Sequence, residues 1–361
     1  MADQQHPDPA QGSGEVFCIG NALLDISFIA DEKFLKEFKL KPNDSCTMDA
    51  PTFQVLFDAL EKRYHATGVP GGSSQNVART IQWLLPDPPG TVTYFGAVCN
   101  DHIGNLLIEN ATHSGINGVY DTVETPTGCC IVIVTGKHHE NRSLAAILGG
   151  AQTYSIEHLE KYWSLVMRSK IVFISGYFLP TCLEACEKLG NFVATSKDRT
   201  LAMALSACYI STDHKDKLEK VLPFVDILFG NHDEFEAFAK AFKISGGLES
   251  IAKAASCLHK VRASPPRVVV ITHGDKPVLV ASSGAVQKFP IPKMKVKNFV
   301  DRNGSGDAFV GGFLAQALRG KSLEDCVKCG AATATITLQN LGCTFPKDKP
   351  VDIDNLASLI Q

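Results

Sequence analysis

The 361-residue chain has no apolar run near the ~20 residues that a membrane-spanning helix needs, so no segment reads as a membrane span. It has no excess of positive charge. Its 35 Lys and Arg stand against 38 Asp and Glu, a formal net charge of -3, which argues against a general nucleic-acid binder. Residues 1–14 are polar and rich in Gln, Pro and Gly, without a secretory apolar core, and read as a disordered tail. The terminal Leu359-Ile360-Gln361 is no peroxisomal address. No internal repeat is present. Twelve cysteines are scattered through apolar segments, and Cys326-x-x-Cys329, half of a zinc-site spacing, has no second Cys or His pair nearby. Buried reduced thiols in a reducing, cytoplasmic compartment are the expectation.

What is present is ordinary globular composition, 45% hydrophobic and 20% charged, in a chain long enough for one large domain or two smaller ones. Short β-branched runs at 16–19, 92–97, 171–174, 200–205, 227–230 and 268–272 alternate with helix-periodic stretches. Val77, Ile81, Leu84 and Leu85 form one apolar stripe; Phe235, Phe238, Ala239 and Phe242 form another, and Ile103, Leu106 and Leu107 a third. This alternation predicts an α/β fold with a mainly parallel sheet. Two regions fit it poorly. Residues 24–30 follow the first strand too closely for a helical crossover, and 129–134 and 144–148 flank a polar hairpin. Extra strands of this kind suit a flap over the C-terminal edge of the sheet. Lys293, Lys295 and Lys297 alternate with apolar residues and read as the wet face of a strand.

The segment Asp301-Arg302-Asn303-Gly304-Ser305-Gly306-Asp307 runs straight into an apolar helical stretch. Small residues at the head of a helix let backbone N–H groups converge on an anion, where the helix dipole also favours negative charge. Asp307 then stands beside the held group, placed to take a proton from an attacking hydroxyl. Read alone, the segment serves equally as a Gly-rich turn. Asn21 and Asp25, just past the first strand, offer a donor/acceptor and a pure acceptor, or simply a turn. Gly71-Gly72-Ser73-Ser74-Gln75-Asn76 enters a helix, with Ser73 or Ser74 available as its cap. Asn231 to Glu234 makes an acidic first turn after a strand, and His232 and Asp233 carry no further reading. Arg142 is a loop guanidinium suited to clamping phosphate. His138 and His139 are loop residues without a metal partner.

Asp-x-Asn-Gly-x-Gly-Asp-Ala-Phe resembles the C-terminal signature of the ribokinase-like carbohydrate kinases, and Gly71-Gly72-x-x-x-Asn76 resembles their N-terminal one. Gly20-Asn21-Ala22-Leu23-Leu24-Asp25 and Asn141-Arg142-Ser143-Leu144 are similar to strings of the adenosine kinase branch of that family. The resemblance covers about residues 16–346. It implies a Rossmann-like three-layer αβα sandwich over residues 15–361, with a small α/β lid drawn from about 22–50 and 118–150. It also implies transfer of the γ-phosphate of ATP to the 5′-hydroxyl of adenosine, in a purine-salvage role. Asp307 is then the base, with Arg142, Gly304, Ser305 and Gly306 stabilising charge. Asn21, Leu23, Asp25, Gly71, Gly72, Ser73, Asn76 and Phe178 hold the nucleoside, Phe178 by stacking on the base. Thr272, Gly274 and Asn303 attend the ATP, and Asn231 and Glu234 the Mg2+. Segment 341–346 flanks the nucleotide. A K+ requirement is raised by the same resemblance, at a motif where Arg302 replaces the usual small hydroxyl residue. Thr47 stands where an apolar residue is more usual, which bears on base specificity. A monomer is implied. The alternatives are a kinase for a free sugar or another nucleoside, a non-catalytic purine-binding module, and a nicotinamide-dependent oxidoreductase. Against the last, the first turn lacks Gly-x-Gly-x-x-Gly.

Overall fold

The computed structural model describes residues 13–85, 89–136, 141–291, 300–346 and 352–356. The expected Lys293–Lys297 strand face, as well as His138 and His139, lie outside these residues. Fourteen strands are present among them: β1 (Val16–Ile19), β2 (Leu23–Ile29), β3 (Ser45–Thr47), β4 (Thr67–Pro70), β5 (Val92–Cys99), β6 (Asn117–Val123), β7 (Thr127–Thr135), β8 (Asn141–Gly149), β9 (Ile171–Ser175), β10 (Thr200–Ala204), β11 (Ile227–Asn231), β12 (Val268–His273), β13 (Lys276–Ser282) and β14 (Ala285–Phe289).

Nine of them form one sheet in the order β14-β13-β12-β11-β10-β9-β1-β5-β6. From β12 to β6 every neighbour pair is parallel; β13 and β14 are an antiparallel edge. Successive side chains of a strand face opposite ways, so a strand covered on both sides must be apolar at every position. All four residues of β1 are 0% exposed. Phe17 and Ile19 join Val172 and Ile174 in one core, while Val16 and Cys18 join Ile171 and Phe173 in the other. The stripe of Phe235 and Phe238 packs into the first core, and that of Val77 and Ile81 into the second.

The second sheet runs β3-β8-β7-β2-β4. Period-two alternation divides it: Phe28, Ile131, Ile133 and Ala145 pack on Phe34, Leu35, Phe53, Leu56 and Leu60 of helices Glu32–Glu37 and Ala50–Glu61. The other face carries Cys130, Val132 and Val134 with Leu23, Leu144 and Ala146. This sheet differs from the expected lid at both ends. It extends to Pro70 through β4, whose Thr-Gly-Val-Pro sequence carries no strand signal, and β6 belongs to the large sheet instead. Gly14, which the sequence places in the tail, instead donates its N–H to the Gly90 carbonyl at 3.1 Å. All twelve cysteines are free, with Cys326 and Cys329 buried on helix Leu323–Thr337. No helix among the described residues is long and apolar enough to cross a membrane.

Candidate active site

In open α/β sheets, ligands bind where successive connections leave in opposite directions. Here that point lies beyond β1 and β9, and the Asn21 side chain bridges it, donating to the Tyr177 carbonyl at 3.0 Å. A cavity of about 350 Å³ opens there, between the C-terminal edge of the large sheet and the second sheet. Asn21, Tyr177, Asn231 and Thr272 line it from the large sheet and its loops. Leu23, Asp25, Thr47, Arg142 and Ala146 line it from the small one. Gly72, Ser73 and Asn76 come from helix Ser73–Leu84, and Asn303, Gly304, Gly306 and Asp307 from the head of helix Ser305–Leu318.

These two helices approach closely because a side chain at Gly311 would lie 2.4 Å from Thr80 Cβ. Their closeness brings Asp307 to the other helix, where it accepts from Ser73 Oγ at 2.7 Å and from Asn76 Nδ2 at 2.8 Å. Enclosure raises the Asp307 pKa above its ordinary value, opposed by the bonds from Asn76 and Ser73 and by the charge of Arg142. The amides of Gly306 and Asp307 sit in the first helical turn, where the helix itself offers no acceptor. Gly304, at φ 75°, starts the turn; a Cβ there would lie 2.4 Å from Cys343 Cβ. A carboxylate beside uncommitted amides at a helix head can hold an anion and take a proton from its neighbour.

Asp25 is 8% exposed and accepts from Asn303 Nδ2 at 2.8 Å; Asn303 Oδ1 accepts from Arg142 at 3.3 Å. Burial pushes the Asp25 carboxyl up to about 7, with the Asn303 bond opposing and Asp307 adding to the rise. Asn21 Oδ1 accepts from Thr181 at 3.0 Å, so one N–H and one lone pair of its amide remain for a ligand.

At the far wall Asn231 and Glu234 form a capping box. Asn231 Oδ1 accepts from the Glu234 N–H at 2.9 Å, while the Asn231 N–H and Nδ2 donate to the Glu234 carboxylate at 3.1 and 2.7 Å. Burial pushes Glu234 up to about 7. His232 stacks on His273 with ring centroids 3.9 Å apart.

Several residues stand elsewhere than the sequence suggested. Phe178 is 0% exposed and packs edge-on against Tyr154 beneath the cavity, so it presents no face for stacking. The short 3-10 turn Gly176–Phe178 sends adjacent side chains different ways, and Tyr177 takes the cavity wall, its hydroxyl donating to the Ser206 carbonyl at 2.9 Å. Neither Ser73 nor Ser74 caps its helix. Gly72, at φ 87°, is the cap residue, and Ser73 Oγ turns to Asp307 instead. Gly71 does not line the cavity; its missing side chain makes room for Asp25, whose Cγ a Cβ would approach to 2.3 Å. Gly274 sits in the β12–β13 turn and Ser305 Oγ bonds back to the Arg302 carbonyl at 2.8 Å, both off the cavity. Segment 341–346 braces the glycine turn from behind: the Gly342 N–H donates to Asp301 at 3.0 Å and Phe345 stacks on Trp83. Sequence reading also passed over Arg79, three residues past Asn76 and on the same helix face, which donates to the Asn76 side chain.

Residues 44–350 match the pfkB family carbohydrate kinase profile. Adenosine kinase 2 of Arabidopsis thaliana is 36% identical over 341 residues, 93% of this chain and 97% of that protein. The adenosine kinase of Saccharomyces cerevisiae is 33% identical over 339 residues, 92% of this chain and 96% of that protein. A solved structure of Anopheles gambiae adenosine kinase, in complex with P1,P4-di(adenosine-5) tetraphosphate, superimposes with a TM-score of 0.87 at 35% identity, covering 93% of this chain and 99% of that one.

Proposed function

The chain belongs to the pfkB family of carbohydrate kinases, and from its similarity to adenosine kinases over more than nine-tenths of its length we propose that it is an adenosine kinase, transferring the γ-phosphate of Mg-ATP to the 5′-hydroxyl of adenosine to give AMP and ADP. The observation that carries the residue assignment is Asp307 at a helix head, held by Ser73 and Asn76 in the cavity that Asp25 and Asn21 also line. The Anopheles relative's ligand, two adenosines joined through phosphates, supports acceptor and donor nucleosides meeting in one cleft.

Asp25 accepts from the ribose hydroxyls, with the free positions of the Asn21 amide and with Gly72 and Asn76 beside it. Tyr177, rather than Phe178, provides the aromatic wall for the base. Leu23 and Ala146 supply apolar surface, and Thr47 a hydroxyl, to the same pocket. As the 5′-oxygen attacks the γ-phosphorus, Asp307 takes its proton and the bond from phosphorus to the ADP oxygen breaks. The amides at 306 and 307 and the Arg142 guanidinium stabilise the equatorial oxygens. Preorganised donors of this kind contribute roughly 3–4 kcal/mol each. Thr272 and Asn303 attend the donor phosphates.

Mg2+ neutralises charge on the phosphates of bound ATP. Both oxygens of Glu234 are already engaged by Asn231, so this pair suits waters of a hydrated ion better than the ion itself, as a reluctantly dehydrated cation allows. A K+ requirement and a monomeric state belong to the same reading, tested by activity in K+ against Na+ buffers and by sedimentation. The free thiols support a reducing, cytoplasmic setting. We also propose residues 15–361 as one kinase domain, with its lid redrawn to end at Pro70 and to exclude β6.

The test is ADP production from Mg-ATP with adenosine, inosine, guanosine and ribose as separate acceptors, beside Asp307→Asn. Turnover with adenosine that collapses in the variant while adenosine still binds is the expected result. Turnover only with ribose overturns the substrate, and a fully active variant overturns the base.

A further inference from the structure

Arg79 is 5% exposed, inside helix Ser73–Leu84. Its Nη2 donates to Asn76 Oδ1 at 2.5 Å and to the Pro70 carbonyl at 2.9 Å, while its Nε is buried with no partner. Among the described residues no carboxylate pairs with it directly. The nearby Asp25 and Asp307 feel its charge but bond to other groups, and an apolar side chain of similar length fills such a space without the cost of desolvating a cation. Arg267 shows how the same chain buries a guanidinium for structure: it is 1% exposed and donates to the carbonyls of Leu222, Val225, Ala255, Leu258 and His259. Arg79 has two acceptors, and one of them is a side chain of the active site.

That side chain has two unlike ends. Asn76 Nδ2 faces Asp307 Oδ2. Turned over, the amide would set its oxygen against the carboxylate and its NH₂ against the guanidinium, which is unfavourable at both ends. The second acceptor, Pro70, ends β4 and pairs with Leu24, beside Asp25. We propose that Arg79 is a positioning residue for phosphoryl transfer: it fixes the Asn76 amide in the orientation that donates to Asp307, and it ties that orientation to the β4 edge of the lid. This inference rests on Asp307 being the base.

The experiment compares kcat and KM for both substrates in Arg79→Met, Arg79→Lys, Asn76→Ala and the double variant Asn76→Ala/Arg79→Met, with Asp307→Asn in parallel. Arg79→Met folds, and its kcat falls on the order of 10- to 100-fold, the scale of a misplaced reacting group. Its KM for ATP stays within about twofold, because Arg79 does not line the cavity. Arg79→Lys recovers part of kcat by keeping a donor to Asn76. Adding Arg79→Met to Asn76→Ala costs less than about twofold more, since the residue acts through that amide. Losses that multiply in the double variant overturn the inference, as does wild-type kcat in Arg79→Met. An Arg79→Met protein that cannot fold makes Arg79 structural and overturns it equally. An active Asp307→Asn refutes the base itself; an inactive one beside a silent Arg79→Met refutes only the role of Arg79.

Discussion

Gly306→Ala separates the proposed chemistry from the fold. Beyond its own helical turn, a Cβ built on Gly306 meets no protein atom within 4 Å, and the residue is in the first turn of helix Ser305–Leu318 at an ordinary φ. Alanine is the better helix former by at most about 1 kcal/mol, so the variant is as stable as the parent or slightly more so. In a chain of this size that raises Tm by no more than about 2–3 °C. The methyl group, however, enters the cavity wall. A carbon keeps an oxygen about 3.5 Å away, whereas the cradle amides must reach a phosphoryl oxygen at about 2.7–3.1 Å. Loss of one such donor costs about 2.7–4 kcal/mol, or 10²–10³ in kcat. Gly304→Ala is the contrasting variant: its φ of 75° disfavours any side chain, and its Cβ would meet Cys343 at 2.4 Å, so it loses stability along with activity. Thermal denaturation beside steady-state ADP release reads both quantities. A stable Gly306→Ala enzyme with wild-type kcat would refute the reading of residues 304–306 as a phosphoryl cradle.

Asp307→Asn should lose about 10²–10⁴ in kcat, the range for a general base, with adenosine affinity by calorimetry changed little; a smaller loss assigns the proton elsewhere. Burial raises Asp25 to about 7, so the free enzyme holds that carboxyl increasingly protonated below this pH. The KM for adenosine should therefore rise as pH falls through about 7, and Asp25→Asn should remove the dependence. The stability sign is opposite: a raised folded pKa adds stability at acid pH that is lost as pH rises through about 7, and urea titrations of Asp25→Asn should show a shallower slope, the remainder coming from Glu234 and Asp307. Phe178→Ala should cost about 3–5 kcal/mol of stability, as a fully buried ring does. Phe178→Leu should bind adenosine normally, while Tyr177→Ala should raise its KM; the reverse pattern would restore Phe178 as the stacking residue.

The large sheet is legible in the chain because strands covered on both faces must be continuous apolar runs, and each expected run is a strand. The small sheet is less so. Its inner strands, β2, β7 and β8, stand out as apolar stretches, but β4 is four residues ending in Gly-Val-Pro, and only pairing with β2 makes it a strand. The edge hairpin β13–β14 has no counterpart among the expected strands: β13 buries a continuous run from Val278 to Ala281, while β14 is largely exposed. In the site, glycine spacing and the paired signatures pointed to the residues that converge. They could not say which of Tyr177 and Phe178 faces the cavity, because the rotation of a three-residue turn has no counterpart in composition. Nor could they show that Ser73 bonds across to Asp307 instead of capping its own helix, since that depends on how closely two helices 231 residues apart approach at Gly311.

The brace behind the glycine turn has a consequence for synthesis. Asp301 is anchored by the Gly342 amide, Gly304 rests on Cys343, and Phe345 is stacked on Trp83. All three contacts are contributed by residues 341–346, which are translated after every described strand of both sheets. A nascent chain can thus have its sheets paired while the glycine turn at residues 304–306 still lacks its backing. The glycine turn of the candidate site therefore gains its brace only after the described strands have been translated.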